Sequence, residues 1–244
     1  SYTDSQTYLI ITQENKKSRI FSFDSKKWRD FVVKIRKVKD QLKDSGVEAS
    51  YLDGNTAREY VDRYFSMNFN DKVVSMTNFK VDEESICMGN KRCKVYSLVD
   101  VDCVSTPSIV RPFTNIEVNN VSMPVDMVSL VDSIPSADVV VYNQMFFIPN
   151  QKRELSLLDK KKNRHASMPN PSNQIAVEDI KKVQDVIARE NKQLVYAHFN
   201  LVVGVPIDAD IQKCTNHLEN SFGRLGIHIS KRAYNQLELF VNSF

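Results

Sequence analysis

The sequence predicts an α+β fold of mixed α/β character, with mostly antiparallel sheets and helices packed on one face. Three observations carry this. Apolar residues recur at three- and four-residue steps from Trp28 to Leu42, they alternate with polar residues from Cys93 to Cys103, and after Asp138 strand-like and helix-like runs take turns. The chain's 244 residues, 42% hydrophobic and 26% charged, suffice for a sizeable core. The pattern divides into subdomains at 1–135 and 136–244, or runs on as one continuous domain.

Residues 8–12 and 19–23, β-branched and aromatic around the polar Glu14-Asn15-Lys16-Lys17, read as an antiparallel pair. Ser25 is the expected N-cap of the next helix. Its stripe is Trp28, Phe31, Val32, Ile35, Val38 and Leu42, and Gly46 stops it. A strand over 47–52 leads to a second helix over 56–68, capped by Asn55, with Ala57, Tyr60, Val61, Tyr64 and Phe65 on one face. From 72 to 102 the period falls to two. Met88-Gly89-Asn90-Lys91 supplies the positive φ of a tight reversal, so the strands around Ile86 and Val95 pair as a hairpin. Cys93 and Cys103 share the valine face, as core residues. Pro107, Pro112 and 115–120 read as irregular, and a short helix over 123–133 ends ahead of Pro135.

The second half is more regular. A strand over 138–148 precedes a helix from 151 to about 164, and 163–174, with Pro169 and Pro171 among Asn and Ser, reads as an exposed connector. A helix over 176–191 buries Ile180, Val183 and Ile187. A strand over 194–205 then feeds a helix with Ile211, Cys214, Leu218 and Phe222 on its stripe, and a short strand over 227–230 completes a strand-helix-strand unit. A last helix spans 234–244.

The charge balance, +3 overall, demands no polyanionic partner, but its distribution is uneven. Residues 16–43 hold eleven basic side chains against Asp24, Asp30 and Asp40, with Lys34 and Lys37 among them. A second cluster gathers Lys160, Lys161, Lys162, Arg164 and His165. Such patches can meet phosphates or acidic lipids, and they make a nucleic-acid-binding module the rival reading. The bland reading is that lysines solvate the outer faces of amphipathic helices, with Trp28 and Phe31 pointing into the core rather than serving as stacking platforms.

Motifs for chemistry are missing. The six glycines form neither GxxxxGK[ST] nor GxGxxG, and Val95 to Val99 followed by Asp100 resembles a magnesium-holding strand end without the glycine loop it needs. Gly223-Arg224-Leu225-Gly226 matches a KH-type GxxG but sits where a helix C-cap is expected. His198, Asn200 and His228 meet on one polar face only if their strands are neighbours. The four cysteines follow no zinc spacing and read as reduced thiols in a cytosolic protein, and no apolar run is long enough to cross a bilayer as a helix. No catalytic, cofactor-binding or metal residue is assigned.

Several longer words carry a resemblance. They are Ser22-Phe23-Asp24-Ser25-Lys26-Lys27-Trp28-Arg29-Asp30-Phe31, Lys91-Arg92-Cys93-Lys94-Val95-Tyr96-Ser97-Leu98-Val99-Asp100, Asn150-Gln151-Lys152-Arg153-Glu154-Leu155 with residues 160–167, Cys214-Thr215-Asn216-His217-Leu218-Glu219-Asn220, and 227–240. Together they resemble the amino-terminal region of TraG-type conjugation ATPases of conjugative transposons, relatives of the ATPase that energises type IV secretion channels. The resemblance implies a mixed α and β amino-terminal module, itself without ATPase activity. That module docks on inner-membrane components of the conjugation channel and contributes to subunit assembly, including a homo-oligomer of the intact protein. It also implies a downstream ATPase domain as an intramolecular partner, ATP and magnesium as cofactors of that domain alone, and a cytoplasmic place, peripheral at the inner face of the inner membrane. No position up to 244 matches the family's nucleotide-binding loop or magnesium carboxylate.

Overall fold

In the computed structural model the described residues are 6–13, 24–70, 78–98, 114–118, 121–125, 131, 133–168, 170–224, 226–230 and 234–244. They fall into two compact units, Ser1–Asp62 and Arg63–Phe244. The strand expected at 19–23 and the fate of Asp100 and Cys103 lie outside the described residues.

In the first unit, α1 (Ser25–Asp44) is the helix that the apolar spacing announces. Its cap is Asp24 rather than Ser25. The carboxylate accepts from the backbone N–H of Lys26 and Lys27 at 3.1 and 3.2 Å, and the bond from Lys27 holds its carboxyl below the ordinary range. Gly46, at φ +82°, closes the helix: its N–H meets the Lys43 carbonyl and the Val47 N–H reaches back to the Leu42 carbonyl. Phe31, Val32, Ile35, Val38 and Leu42 are only half-buried, and Trp28 is 53% exposed instead of in a core. A unit of this size has too little mass to enclose a helix stripe. Residues 8–12 and 47–52 form no strand. α2 (Gly54–Ser66) starts at Asp53, whose carboxylate accepts from the Thr56 N–H at 2.7 Å, a role expected of Asn55.

The second unit is built on one antiparallel sheet of β1 (Phe79–Val81), β2 (Ile86–Met88), β3 (Lys91–Ser97), β6 (Val139–Phe147) and β7 (Tyr196–Pro206), ordered β1-β2-β3-β7-β6. The sheet draws strands from both sides of residue 135. β2 and β3 form the expected hairpin, with Gly89 at φ 56°. A separate hairpin pairs β4 (Thr114–Val118) with β5 (Val121–Val125), where irregular chain and a helix were expected. The helix expected over 123–133 therefore fails at its start, because Met123 is paired in a strand opposite Ile116.

The α+β class and the antiparallel sheet hold, but helices cover both faces rather than one. On one face Tyr96, Leu201, Val203 and Val205 pack against Ile211, Cys214, Leu218 and Phe222 of α5 (Ile211–Gly223). On the other, Cys93, Val95 and Val202 pack against Tyr64, Met67 and Phe240, the last from α6 (Gln236–Asn242). The alternation of side chains along β7 produces both faces, since every second residue changes side. Residues 227–230, expected as a strand, contribute one isolated bridge, Ser230 to Ser97 of β3. β3 ends its pairing with β2 at Cys93, and its continuing edge is closed by the Gln236 amide, which accepts from the Val95 N–H at 2.7 Å and donates to the Val95 carbonyl at 3.0 Å.

Two buried ionisable groups make the sheet sensitive to alkali. Burial pushes the Tyr96 phenol, hydrogen-bonded to Thr215 Oγ1 at 2.7 Å, and the Cys93 thiol above their usual ranges. Their folded values exceed the unfolded ones, so their contribution to stability is complete below the unfolded values, about 8.5 for the thiol and about 10 for the phenol. It is lost as pH rises from there toward the folded values. Urea midpoints are expected to be level on the acid side of that window and to fall through it, and Tyr96→Phe removes the phenol's share of the fall. A midpoint that rises with pH there refutes the assignment.

Candidate functional site

Between the adjacent strands β6 and β7 the chain makes a helical excursion, α3 (Gln151–Ala166) and α4 (Pro171–Glu190). Asn150 caps α3 by accepting from the Arg153 N–H at 3.1 Å. α4 begins earlier than its apolar spacing predicts, because Pro171 stands in its first turn and Asn170 caps it, accepting from the Asn173 N–H at 2.7 Å. The expected long connector shrinks to about one turn of chain. Asn191, at φ 50°, ends α4 in the left-handed region.

The root of the excursion is fixed. Past the last ladder pair, Phe147 with Tyr196, the Gln151 amide donates to the Leu194 carbonyl at 2.9 Å and accepts from the Leu194 N–H at 2.7 Å. A side-chain amide thus supplies one more rung. The Tyr196 hydroxyl donates to Glu154 at 2.7 Å and its ring stacks on Phe147. Around this root Phe146, Phe147, Ile148 and Tyr196 are each more than half exposed.

Along the pair, Lys162 of α3 faces Gln184 of α4, Leu158 is half-buried, and Ile180 alone is buried. Lys162 Nζ donates to Asp159 and to Gln184 Oε1, both at 2.9 Å, and Gln184 donates to Asp159 at 2.9 Å. The Lys162 bond holds the Asp159 carboxyl below its usual range. His165 Nδ1 meets Asn173 Oδ1 at 2.7 Å inside the interhelical turn. Of the basic cluster, then, Lys162 and His165 serve the hairpin itself, while Lys160, Lys161 and Arg164 are exposed. Lys34 lies on α1 in the other unit, donating to Gln13 Oε1 at 3.2 Å, and Lys37 is exposed on the same helix.

Counted at about 100° per residue from the helix seam, Leu157, Lys161 and Arg164 turn to the same side of the antiparallel pair as Ile175, Val183 and Val186. These four apolar side chains are between 41% and 60% exposed. Val183, expected in the core, is therefore part of a surface with interleaved cations. Sequence periodicity missed it because the stripe of a lone helical hairpin is narrower than that of a helix on a sheet.

The histidines do not converge. His198 Nε2 meets Asn200 Oδ1 at 2.8 Å, and Asn200 donates to Ser243 Oγ at 2.9 Å, whereas His228 lies in the segment that bridges to β3, away from β7. Gly223 and Gly226 end α5: the Ile227 N–H bonds the Phe222 carbonyl at 3.0 Å, as a helix cap requires. Among the described residues no three His, Cys, Asp or Glu side chains stand close enough to hold a metal ion, and no helix is long and apolar enough to cross a membrane. No family model, curated protein or solved structure matches the chain.

Proposed function

We propose that this chain is a non-catalytic docking and assembly module of a conjugation ATPase of the type IV secretion kind, acting at the cytoplasmic face of the inner membrane. The resemblance quoted above supplies the family. The observation that carries the docking role is the apolar surface on the rooted helical hairpin, where Ile175, Val183 and Val186 stay exposed beside Leu157. Solvent-facing apolar groups gathered on one rigid element favour a protein partner, since burying them releases about 25 cal/mol per Å². Lys161 and Arg164 at its margin suit a partner with acidic side chains there.

The test is co-purification of the 244-residue chain with the membrane components of its channel. Val183→Glu combined with Val186→Glu is expected to abolish capture while leaving the unfolding temperature within a degree or two, as exposed sites allow. Undiminished capture refutes the docking role. Hydrolysis of ATP above a buffer control, removed by changing one residue of this chain, refutes the non-catalytic role. Salt-dependent DNA retention that collapses in Lys160→Glu/Lys161→Glu/Arg164→Glu points instead to the nucleic-acid reading.

A further inference from the structure

We propose that the outer edge of β6 pairs antiparallel with the same edge of a second copy of this chain, centred on Asn143. The ladder itself shows which groups are free. The Ile207 N–H bonds the Asn90 carbonyl, one step beyond the pair of Lys91 with Pro206, whose proline nitrogen has no hydrogen to give. Hydrogen-bonded pairs alternate along antiparallel strands, so Leu201, Val203 and Val205 of β7 turn their backbone groups to β3. The even residues of β7, from Tyr196 to Gly204, turn theirs to β6, and Asp138 N–H indeed meets the Gly204 carbonyl at 2.9 Å. On β6 the inward partners are Val139, Val141, Asn143, Met145 and Phe147. The N–H and C=O of Val140, Tyr142, Gln144 and Phe146 point outward, and among the described residues nothing pairs with them.

At β3 and at the root of the helical hairpin the chain closes open rungs. Gln236 closes β3 at Val95, the Ser230 N–H closes it at Ser97, and Gln151 extends the rung at the root of the hairpin. β6 has none of the usual guards of a free edge: no proline, no lysine and no charged side chain from Val139 to Phe147. A strand of that kind persists in solution by being covered.

Its sequence fits itself. Antiparallel pairing about Asn143 sets Val139 opposite Phe147, Val140 opposite Phe146, Val141 opposite Met145 and Tyr142 opposite Gln144. The outward even residues then exchange hydrogen bonds along the whole strand, the three outer kinds of cross-strand pair are apolar, Tyr142–Gln144 and Asn143–Asn143 are polar and uncharged, and no like charges meet. Phe146 and Phe147, 62% and 55% exposed, gain valine partners. An unrelated strand has no such length and charge match written into this chain, so the second copy is the occupant. This deepens the assembly part of the function proposed above and rests on that reading only for its biological meaning.

Sedimentation velocity of the 244-residue chain over a concentration series tests it. The native chain is expected to show a reversible monomer–dimer equilibrium. Gln144→Pro removes an outward N–H without touching the β7 ladder, and Gln144→Lys brings two cations onto one face across the pairing axis; each is expected to weaken dimerisation about tenfold or more. Should the proline variant fail to fold, the exposed lysine substitution decides alone. The Val183→Glu/Val186→Glu variant is expected to remain dimeric, so loss of channel docking and loss of self-pairing are told apart. A native chain monomeric at every concentration overturns the proposal, as does a dimer that both Gln144 variants leave intact.

Discussion

Replacing Phe240 by alanine is expected to lower the unfolding free energy of the second unit by about 3–5 kcal/mol, the range for a fully buried phenylalanine. Set against a typical total of about 5–15 kcal/mol, this is a large fraction. Phe240 is fully buried, stacks on Tyr64 at 4.9 Å and meets Phe65 and Phe79 edge-on at 5.7 and 5.9 Å. Its carbonyl accepts from the Tyr64 hydroxyl at 2.8 Å, so the helix it belongs to is held by ring contacts and a buried hydrogen bond together. Urea unfolding followed by far-UV circular dichroism measures the loss. Val241, its half-exposed neighbour, serves as the comparison, since Val241→Ala is expected to change stability by under about 0.5 kcal/mol. Equal effects at the two positions contradict the packing described.

Gln236→Leu is expected to cost about 2–5 kcal/mol, because it strands two buried backbone groups at once and each unsatisfied group costs about 1–3 kcal/mol. Gln236 is fully buried and its amide is the partner of both the Val95 N–H and the Val95 carbonyl. Leucine matches the volume, so the loss measures hydrogen bonding rather than a cavity. Amide exchange gives an independent reading: protection at Val95 is expected to fall in the variant while protection at Leu201, within the β7 ladder, follows global stability alone. Unchanged protection at Val95 means that water or another group takes over the edge.

What could be read in advance follows physical range. The strong 3.6 periods of α1 and α5, the glycine reversal before β3 and the apolar runs of β6 and β7 are local signals, and the structure places elements there. α4 begins five residues before the start that the apolar spacing predicts, because Pro171 reads as a breaker in sequence whereas at a helix start it pre-sets φ. β4 and β5 were missed because each is only five residues long, and Pro124 lies within β5. Charge was visible in the second basic cluster, but its partition was not: only the pairing of α3 with α4 sets Lys162 against Asp159 and Gln184. The Gln236 and Gln151 rungs had no signal in sequence, since a lone glutamine looks the same on any surface. The uncharged stretch from Val139 to Phe147 was plain to see, yet strand order alone makes it a border.

The rung that Gln151 adds beside Leu194 has a bearing on how such a chain is rebuilt over evolutionary time. Departure and return of the excursion are adjacent ladder partners, Phe147 and Tyr196, which antiparallel geometry keeps within about 5.5 Å. A few turn residues span that gap. Everything from 148 to 195 is therefore a cassette, clipped in at a single gate, that can be lengthened, exchanged or deleted while the strands on either side keep their alignment.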